Sequence, residues 1–268
     1  MNAIQSPLTP YEALCWYLEA GVDEAVGETP VNRFAPQPEA APILPPAFAK
    51  PTVAADKPPV SPPASRPHAS GPSIAAGVKT LDALREALEA LEGCALKTTA
   101  TQLVFADGNP DAKVMFVGEA PGADEDRIGR PFVGQAGKLL DKMLASIGLD
   151  RSNAYITNLL PWRPPGNRTP TPQEVAQLLP FLERHIELAD PQILVLLGGT
   201  AAQAVLAHSE GITKLRGKWF DYATPGLVRP VSALATFHPA YLLRQPAQKR
   251  EAWRDLLMLR RKLDEIGT

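Results

Sequence analysis

The strongest constraint in this sequence is an alternation that runs through its C-terminal two-thirds. Four short apolar runs stand apart: Lys113–Gly118 (KVMFVG), Ala154–Thr157 (AYIT), Ile193–Leu197 (ILVLL) and Ala233–Phe237 (ALATF). Segments of helical spacing lie around them. Thr80 is placed to cap a helix carrying Leu81, Leu84, Leu88 and Leu91. Leu139, Leu140, Met143, Leu144 and Ile147 make the stripe of a second helix. Thr171, Pro172 and Glu174 supply an N-cap, a first-turn proline and a capping-box acid for a third. Its Val175, Leu178, Leu179, Leu182 and Ile186 face inward, and a last helix runs from about Pro246 to Leu263. Strands that are apolar throughout are buried on both faces, and joining them in parallel needs helical crossovers. An α/β fold is therefore expected, with a parallel sheet covered on both sides.

In such folds ligands bind in the crevice outside the carboxyl ends of the strands. Gly118–Gly122 (GEAPG) follows the first strand, and Asn158 with the stretch Arg163–Arg168 follows the second. Gly198–Gly199–Thr200 follows the third, and His238–Pro239 the fourth. These loops bring carboxylates (Glu119, Asp124, Glu125, Asp126), a carboxamide, an imidazole and an exposed-looking aromatic, Phe132, to one place. A carboxamide pairs a donor with an acceptor and suits the edge of a base. An imidazole can stabilise a developing oxyanion, and an aromatic ring can stack on a base. Plainer readings stand beside these: a tight turn for GEAPG, a solvated face for the acids, a loop cap for Asn158, a structural role for His238. Gly198–Gly199–Thr200 either cradles a phosphate at a helix N-terminus or only permits close packing. His68, His185 and His208 are read as linker or helix-surface residues without a role.

Charge and cysteine content narrow the chemistry. The formal net charge of −2 carries no global nucleic-acid signal. It hides a segregation, however. Residues 73–210 hold 12 Lys/Arg and 17 Asp/Glu, whereas residues 211–262 hold 11 and 3. Lys214, Arg216 and Lys218 beside Trp219, and Arg244 after the His238 loop, are expected to flank the crevice, as a passing phosphate backbone would require. Two cysteines, Cys15 and Cys94, are too few for a disulfide framework, a four-thiolate zinc site or a self-contained iron–sulfur site. No apolar run reaches the roughly 18 residues of a membrane span. A cytoplasmic, metal-free monomer is expected.

Thirteen of the 29 prolines fall between Pro30 and Pro72, which reads as a disordered linker over residues 30–72. Before it, residues 1–29 hold one short periodic segment, Pro10–Ala25. Leu14, Tyr17, Leu18 and Val22 share a face there, suited to docking on the main domain or to a protein partner. Residues 73–268 are expected to form the domain that carries the crevice.

The blocks VGEAPGADEDRIGRPFVGQAGKLL, YITN, RPPGNRTPTP, LVLLGGTAA and HPAYLLR occur in this order over roughly residues 91–263. Together they resemble the family 4 uracil-DNA glycosylases. The resemblance implies a three-layer α/β/α sandwich with a central four-stranded parallel sheet, and hydrolysis of the bond between uracil and deoxyribose in DNA. By position it makes Glu119 the residue that positions water, Phe132 the stacking ring, Asn158 the reader of the pyrimidine edge and His238 the donor to the departing uracil. It places Gly118, Ala120, Gly122 and Glu125 around the base, with Ala120 and Gly122 standing where another branch has a catalytic aspartate and a tyrosine. Arg163, Arg168, Lys214, Arg216 and Arg244 are the expected DNA contacts. The family's four cluster-ligating cysteines correspond here to Leu91, Cys94, Trp162 and Leu178. One thiol among four positions implies no iron–sulfur cluster and an apolar filling of its space. A cluster-less relative that grips DNA or a repair partner without turnover is the alternative, and a nucleotide-binding protein using Gly198–Thr200 a weaker third.

Overall fold

The computed structural model describes residues 71–267. The expected N-terminal helix and nearly all of the expected linker lie outside them. Helix α1, Gly71–Gly77, begins two residues before the expected domain boundary.

One six-stranded sheet organises the chain: β1 (Ala106–Gly108), β2 (Val114–Gly118), β3 (Tyr155–Asn158), β4 (Ile193–Leu197), β5 (Trp219–Tyr222) and β6 (Val231–Thr236). The spatial order is β1-β3-β2-β4-β6-β5. The four central strands are parallel to one another, as expected. The two edge strands pair antiparallel and were not foreseen. β1 is three residues of half-buried polar and small side chains, and β5 is half-buried apart from exposed Asp221 and buried Tyr222, so neither reads as a continuous apolar run.

Side chains alternate across the sheet. Met115, Val117, Leu194, Leu196, Ala233 and Ala235 enter one core. Val114, Phe116, Ile193, Val195, Leu197 and Leu234 enter the other. The first core is roofed by α1, α2 (Leu81–Glu89) and the long α6 (Pro172–Ala189), reached after α3 (Ala95–Thr99), α4 (Ala123–Ile128) and α5 (Gln135–Ala145). The second core is closed by α5 and by α10 (Lys249–Glu265), which follows α7 (Gly199–Leu206), α8 (Ile212–Leu215) and α9 (Pro239–Arg244). The result is three layers, α/β/α.

Local signals behave as their chemistry dictates. Thr80 caps α2 by accepting from Ala83 N at 3.1 Å. Thr171 and Glu174 close the capping box of α6, with Thr171 N donating to Glu174 Oε2 at 2.8 Å. One expectation is overturned: His185 is not on a helix surface. It is buried, stacked on Phe105 at 4.4 Å between ring centroids, and its Nε2 shares a 2.9 Å hydrogen bond with Tyr155 Oη. An imidazole one turn from Leu182 falls on the inward stripe, and the Tyr155 hydroxyl satisfies it there.

Leu91, Cys94, Trp162 and Leu178 are all buried in the first core. Leu178 is 1% exposed. Leu178→Ala should therefore cost about 2–5 kcal/mol, the usual loss for a truncated core leucine. A urea unfolding curve checks this, and a loss under about 0.5 kcal/mol, the level of a surface substitution, would contradict tight packing.

Candidate active site

The register of the central strands assembles the site. Gly118 pairs with Asn158 across β2–β3, and Leu197 with Thr236 across β4–β6. The strands therefore stop level with one another, and the residues that follow them meet at one edge. A cavity of about 480 Å3 opens there. Glu119, Ala120, Gly122, Glu125, Phe132, Asn158, Arg168, His238 and Arg244 line it, which brings together nine of the expected site residues. Gly118 sits behind the wall. A Cβ on it would come within 2.6 Å of the Phe132 ring and would collide with Asn158 Oδ1. Glycine is needed so that ring and carboxamide can approach the strand.

Asn158 is 5% exposed, and its Oδ1 is buried without a hydrogen-bond partner among the described residues. An unsatisfied buried polar atom costs about 1–3 kcal/mol. Such a cost is offset when a ligand brings the missing donor. Glu119 is half-buried on the cavity wall, and its carboxylate has no partner among the described residues.

His238 caps α9, its Nδ1 accepting from Ala240 N at 3.1 Å. The ring's proton is thereby assigned to Nε2. Burial, with Arg244 nearby, pulls its pKa down to about 4, so it stays neutral and still donates. The ring lies 5.5 Å from that of Phe132.

Several expected roles change. Phe132 is not an exposed aromatic but 5% exposed, with a left-handed backbone at φ 54°. That conformation costs a bulky residue about 1–3 kcal/mol. Glu125 does not present a free carboxylate. Its Oε1 accepts from Val133 N and Gly134 N at 2.9 and 2.8 Å, and its Oε2 from Gly122 N at 3.1 Å. Asp126 is buried and accepts from Thr101 N, so only Asp124 of the acidic trio remains on a solvated face. Arg216, an expected DNA contact, is turned inward and lies outside the cavity lining. Its guanidinium is spent on Asp255 at 2.6 Å and on Glu251, and lies over the Phe237 ring. Arg163 donates to Asn167 Oδ1 beside the cavity, and Lys214 is exposed on α8 away from its lining. At Gly198, with φ 99°, a Cβ would come within 3.1 Å of His238 Cβ, which supports the close-packing reading of its loop.

Sequence reasoning passed over Asn167, Thr169 and Tyr241, which also line the cavity. Asn167 was detectable: the Pro-Pro-Gly-Asn run is a turn signal, and Gly166 and Asn167 both take positive φ.

The family model described as Uracil DNA glycosylase superfamily matches residues 105–257. The chain belongs to the uracil-DNA glycosylase superfamily. It is 42% identical over 178 residues to the Type-4 uracil-DNA glycosylase of Archaeoglobus fulgidus, covering 65% of this chain and 88% of that protein. It is also 42% identical over 165 residues to the Type-4 uracil-DNA glycosylase of Thermotoga maritima, covering 61% and 83%. The Type-5 uracil-DNA glycosylase of Thermus thermophilus is 34% identical over 116 residues, 38% of this chain and 52% of that one.

The iron–sulfur cluster implied by the type-4 resemblance needs four thiolates. The corresponding positions bring one thiol, Cys94, and the apolar side chains of Leu91, Trp162 and Leu178, all within a continuous core. The donor set does not fit a cluster.

Two histidines resist protonation in the folded chain, His238 with a pKa of about 4 and His185 of about 3, each chiefly through burial. The unfolded chain takes up those protons near 6.5, so stability is full above that pH and falls as pH drops below it. NMR titration should find both imidazoles neutral down to about pH 5, with the urea midpoint falling over the same range. A His238 midpoint near 6.5 would contradict the enclosure described here.

Proposed function

We propose that this chain is a DNA-repair glycosylase that hydrolyses the N-glycosidic bond of uracil in DNA and leaves an abasic site. The observation that carries the reading is the convergence, in a superfamily member, of a neutral Nε2–H donor, an unpartnered buried carboxamide oxygen and an aromatic ring on one cavity. Uracil within a duplex cannot reach these groups, so the base is flipped into the cavity or taken from a single strand. Phe132 stacks on it. Asn158 Oδ1 accepts from the uracil N3–H and its amide donates to O4.

When the C1′–N1 bond breaks, its electron pair passes into the ring, and negative charge gathers at O2. His238 Nε2–H donates to that oxygen. A preorganised donor facing charge that develops only in the transition state lowers the barrier without stabilising the ground state equally. Water then adds to the oxocarbenium-like C1′, and Glu119 orients it and takes up its proton. Glu125 shapes the loop that carries these groups, with Gly118, Ala120 and Gly122 giving the base room.

Arg163, Arg168 and Arg244 at the crevice, and Lys214 beyond it, contact the phosphates. Arg168 keeps 42% of its side chain exposed while its fork holds Glu174. The enzyme works without an iron–sulfur cluster, as a cytoplasmic monomer. The domain from residue 71 onward suffices for turnover, and residues 1–29 serve a protein partner.

Incubation with a uracil-containing oligonucleotide followed by alkali, which cleaves only at abasic sites, tests the reading. Wild-type protein should excise uracil without added metal and leave cytosine intact, because a carboxamide matched to one base edge leaves groups unpaired on the other. Asn158→Ala and His238→Ala should each slow excision by about 10²–10³. Wild-type rates in both variants would refute the site. No excision by the wild-type chain would leave the DNA-binding relative.

Binding should weaken steeply with salt, since each neutralised phosphate releases counterions. Arg244→Ala should flatten the salt slope by about one unit, whereas Lys218→Ala, outside the cavity lining, should leave it. An unchanged slope for Arg244→Ala, Arg168→Ala and Arg163→Ala alike would put the DNA on another face.

A further inference from the structure

Phe132 is one of four residues other than glycine at positive φ among the described residues, and the only one of them with a bulky aromatic side chain. Charge of opposite sign grips its two sides. The N–H groups that follow it, on Val133 and Gly134, point to the Glu125 carboxylate. The carbonyls point the other way. Arg151 Nη2 donates to Phe132 O at 2.5 Å, and Arg151 Nη1 to Pro131 O at 3.1 Å. Gly137 closes the third side, since a Cβ there would collide with Phe132 O.

Arg151 is itself fixed. It lies on the turn before β3, 22% exposed, with its Nε on Asp141 Oδ1 of α5 at 2.9 Å and its Nη1 on Asp107 of edge strand β1. Arg130 takes the remaining valence of Asp107, both carboxylate oxygens lying 2.9 Å from its Nη2. Burial opposes the charge on Asp107, and Arg130 and Arg151 more than offset it, leaving its carboxyl below the usual range. A planar guanidinium can serve two carbonyls and two carboxylates at once, which an ammonium cannot.

We propose that Arg151 is a positioning residue: it locks the Phe132 backbone in its left-handed conformation and so aims the ring that stacks on the target base. This rests on the glycosylase reading above. Arg151 does not line the cavity. Its effect on the base passes through the Phe132 carbonyl. The competing account makes Arg151 a strut for β1 and α5 alone, in which case its loss would disturb every DNA complex equally.

Binding to two duplexes separates these accounts. One carries 2′-fluoro-2′-deoxyuridine, whose glycosidic bond resists cleavage. The other carries a tetrahydrofuran abasic analogue at the same position, with no base to stack. Arg151→Ala should weaken binding to the first by about 5–140-fold, the span of one aromatic stack, and leave binding to the second unchanged. Arg151→Lys keeps the charge for Asp107 but loses the two-carbonyl fork, and should shift the same way even if Arg151→Ala folds poorly. In a Phe132→Ala background either substitution should add nothing. Asp141→Asn, which leaves the carbonyl contacts in place, should behave as wild type on both duplexes. Equal losses on the two duplexes, or losses that add fully to that of Phe132→Ala, would overturn the proposal. Wild-type excision in the same preparations tests the glycosylase reading separately.

Discussion

Everything in the site depends on the hydrogen-bond register of four parallel strands. Pairing Gly118 with Asn158 and Leu197 with Thr236 makes the strands end together. Because side chains alternate, a shift of one residue in any strand would exchange its two core faces and send its apolar set outward. Burial on both sides therefore pins the register. The loops inherit that precision: Glu119, Asn158 and His238 each stand within two residues of a strand end. The geometry of the candidate site is a by-product of core packing that tolerates no slip.

Upon that frame the cavity keeps a few polar groups in readiness. His238 is held neutral and in one tautomer by a backbone N–H and by enclosure. Asn158 carries an acceptor that nothing among the described residues satisfies. Phe132 holds a costly backbone conformation. Each is locally unfavourable, and each is a group that a planar base with donors and acceptors on its edge would use. Local cost of this kind is the mark of a preorganised site.

At the positions that the type-4 resemblance gives to cluster ligands, the first core holds one thiol and three apolar side chains. Trp162 follows β3, Leu178 lies on α6, and Leu91 and Cys94 come from the turn after α2. The three segments meet there through apolar contact. Gln177 Nε2 reaches Gly93 O at 3.4 Å, tying α6 to that turn. None of these residues lines the cavity, so repacking leaves the crevice groups in place.

How much was legible beforehand follows from the range of each interaction. The central strands, the capping box at Thr171, and Glu119, Asn158 and His238 were readable because periodicity, caps and strand-end loops are local in sequence. The edge strands were not, since a short half-exposed strand owes its existence to the neighbour it pairs with. Nor was the fate of individual charges. Lys214–Arg216–Lys218 looks like one basic patch, yet Arg216 turns inward to Asp255, 39 residues away, while its neighbours stay exposed. Glu125 looks like a free acid and is a clasp, and Arg151 drew no notice although it grips a carbonyl 19 residues earlier. The sequence by itself determined the layers, the sheet's parallel centre and the chemical groups that meet at the crevice, because these follow from patterns a few residues long. Only the tertiary structure decided which charged side chain faces solvent and which holds the backbone, because that depends on partners that folding brings from far along the chain.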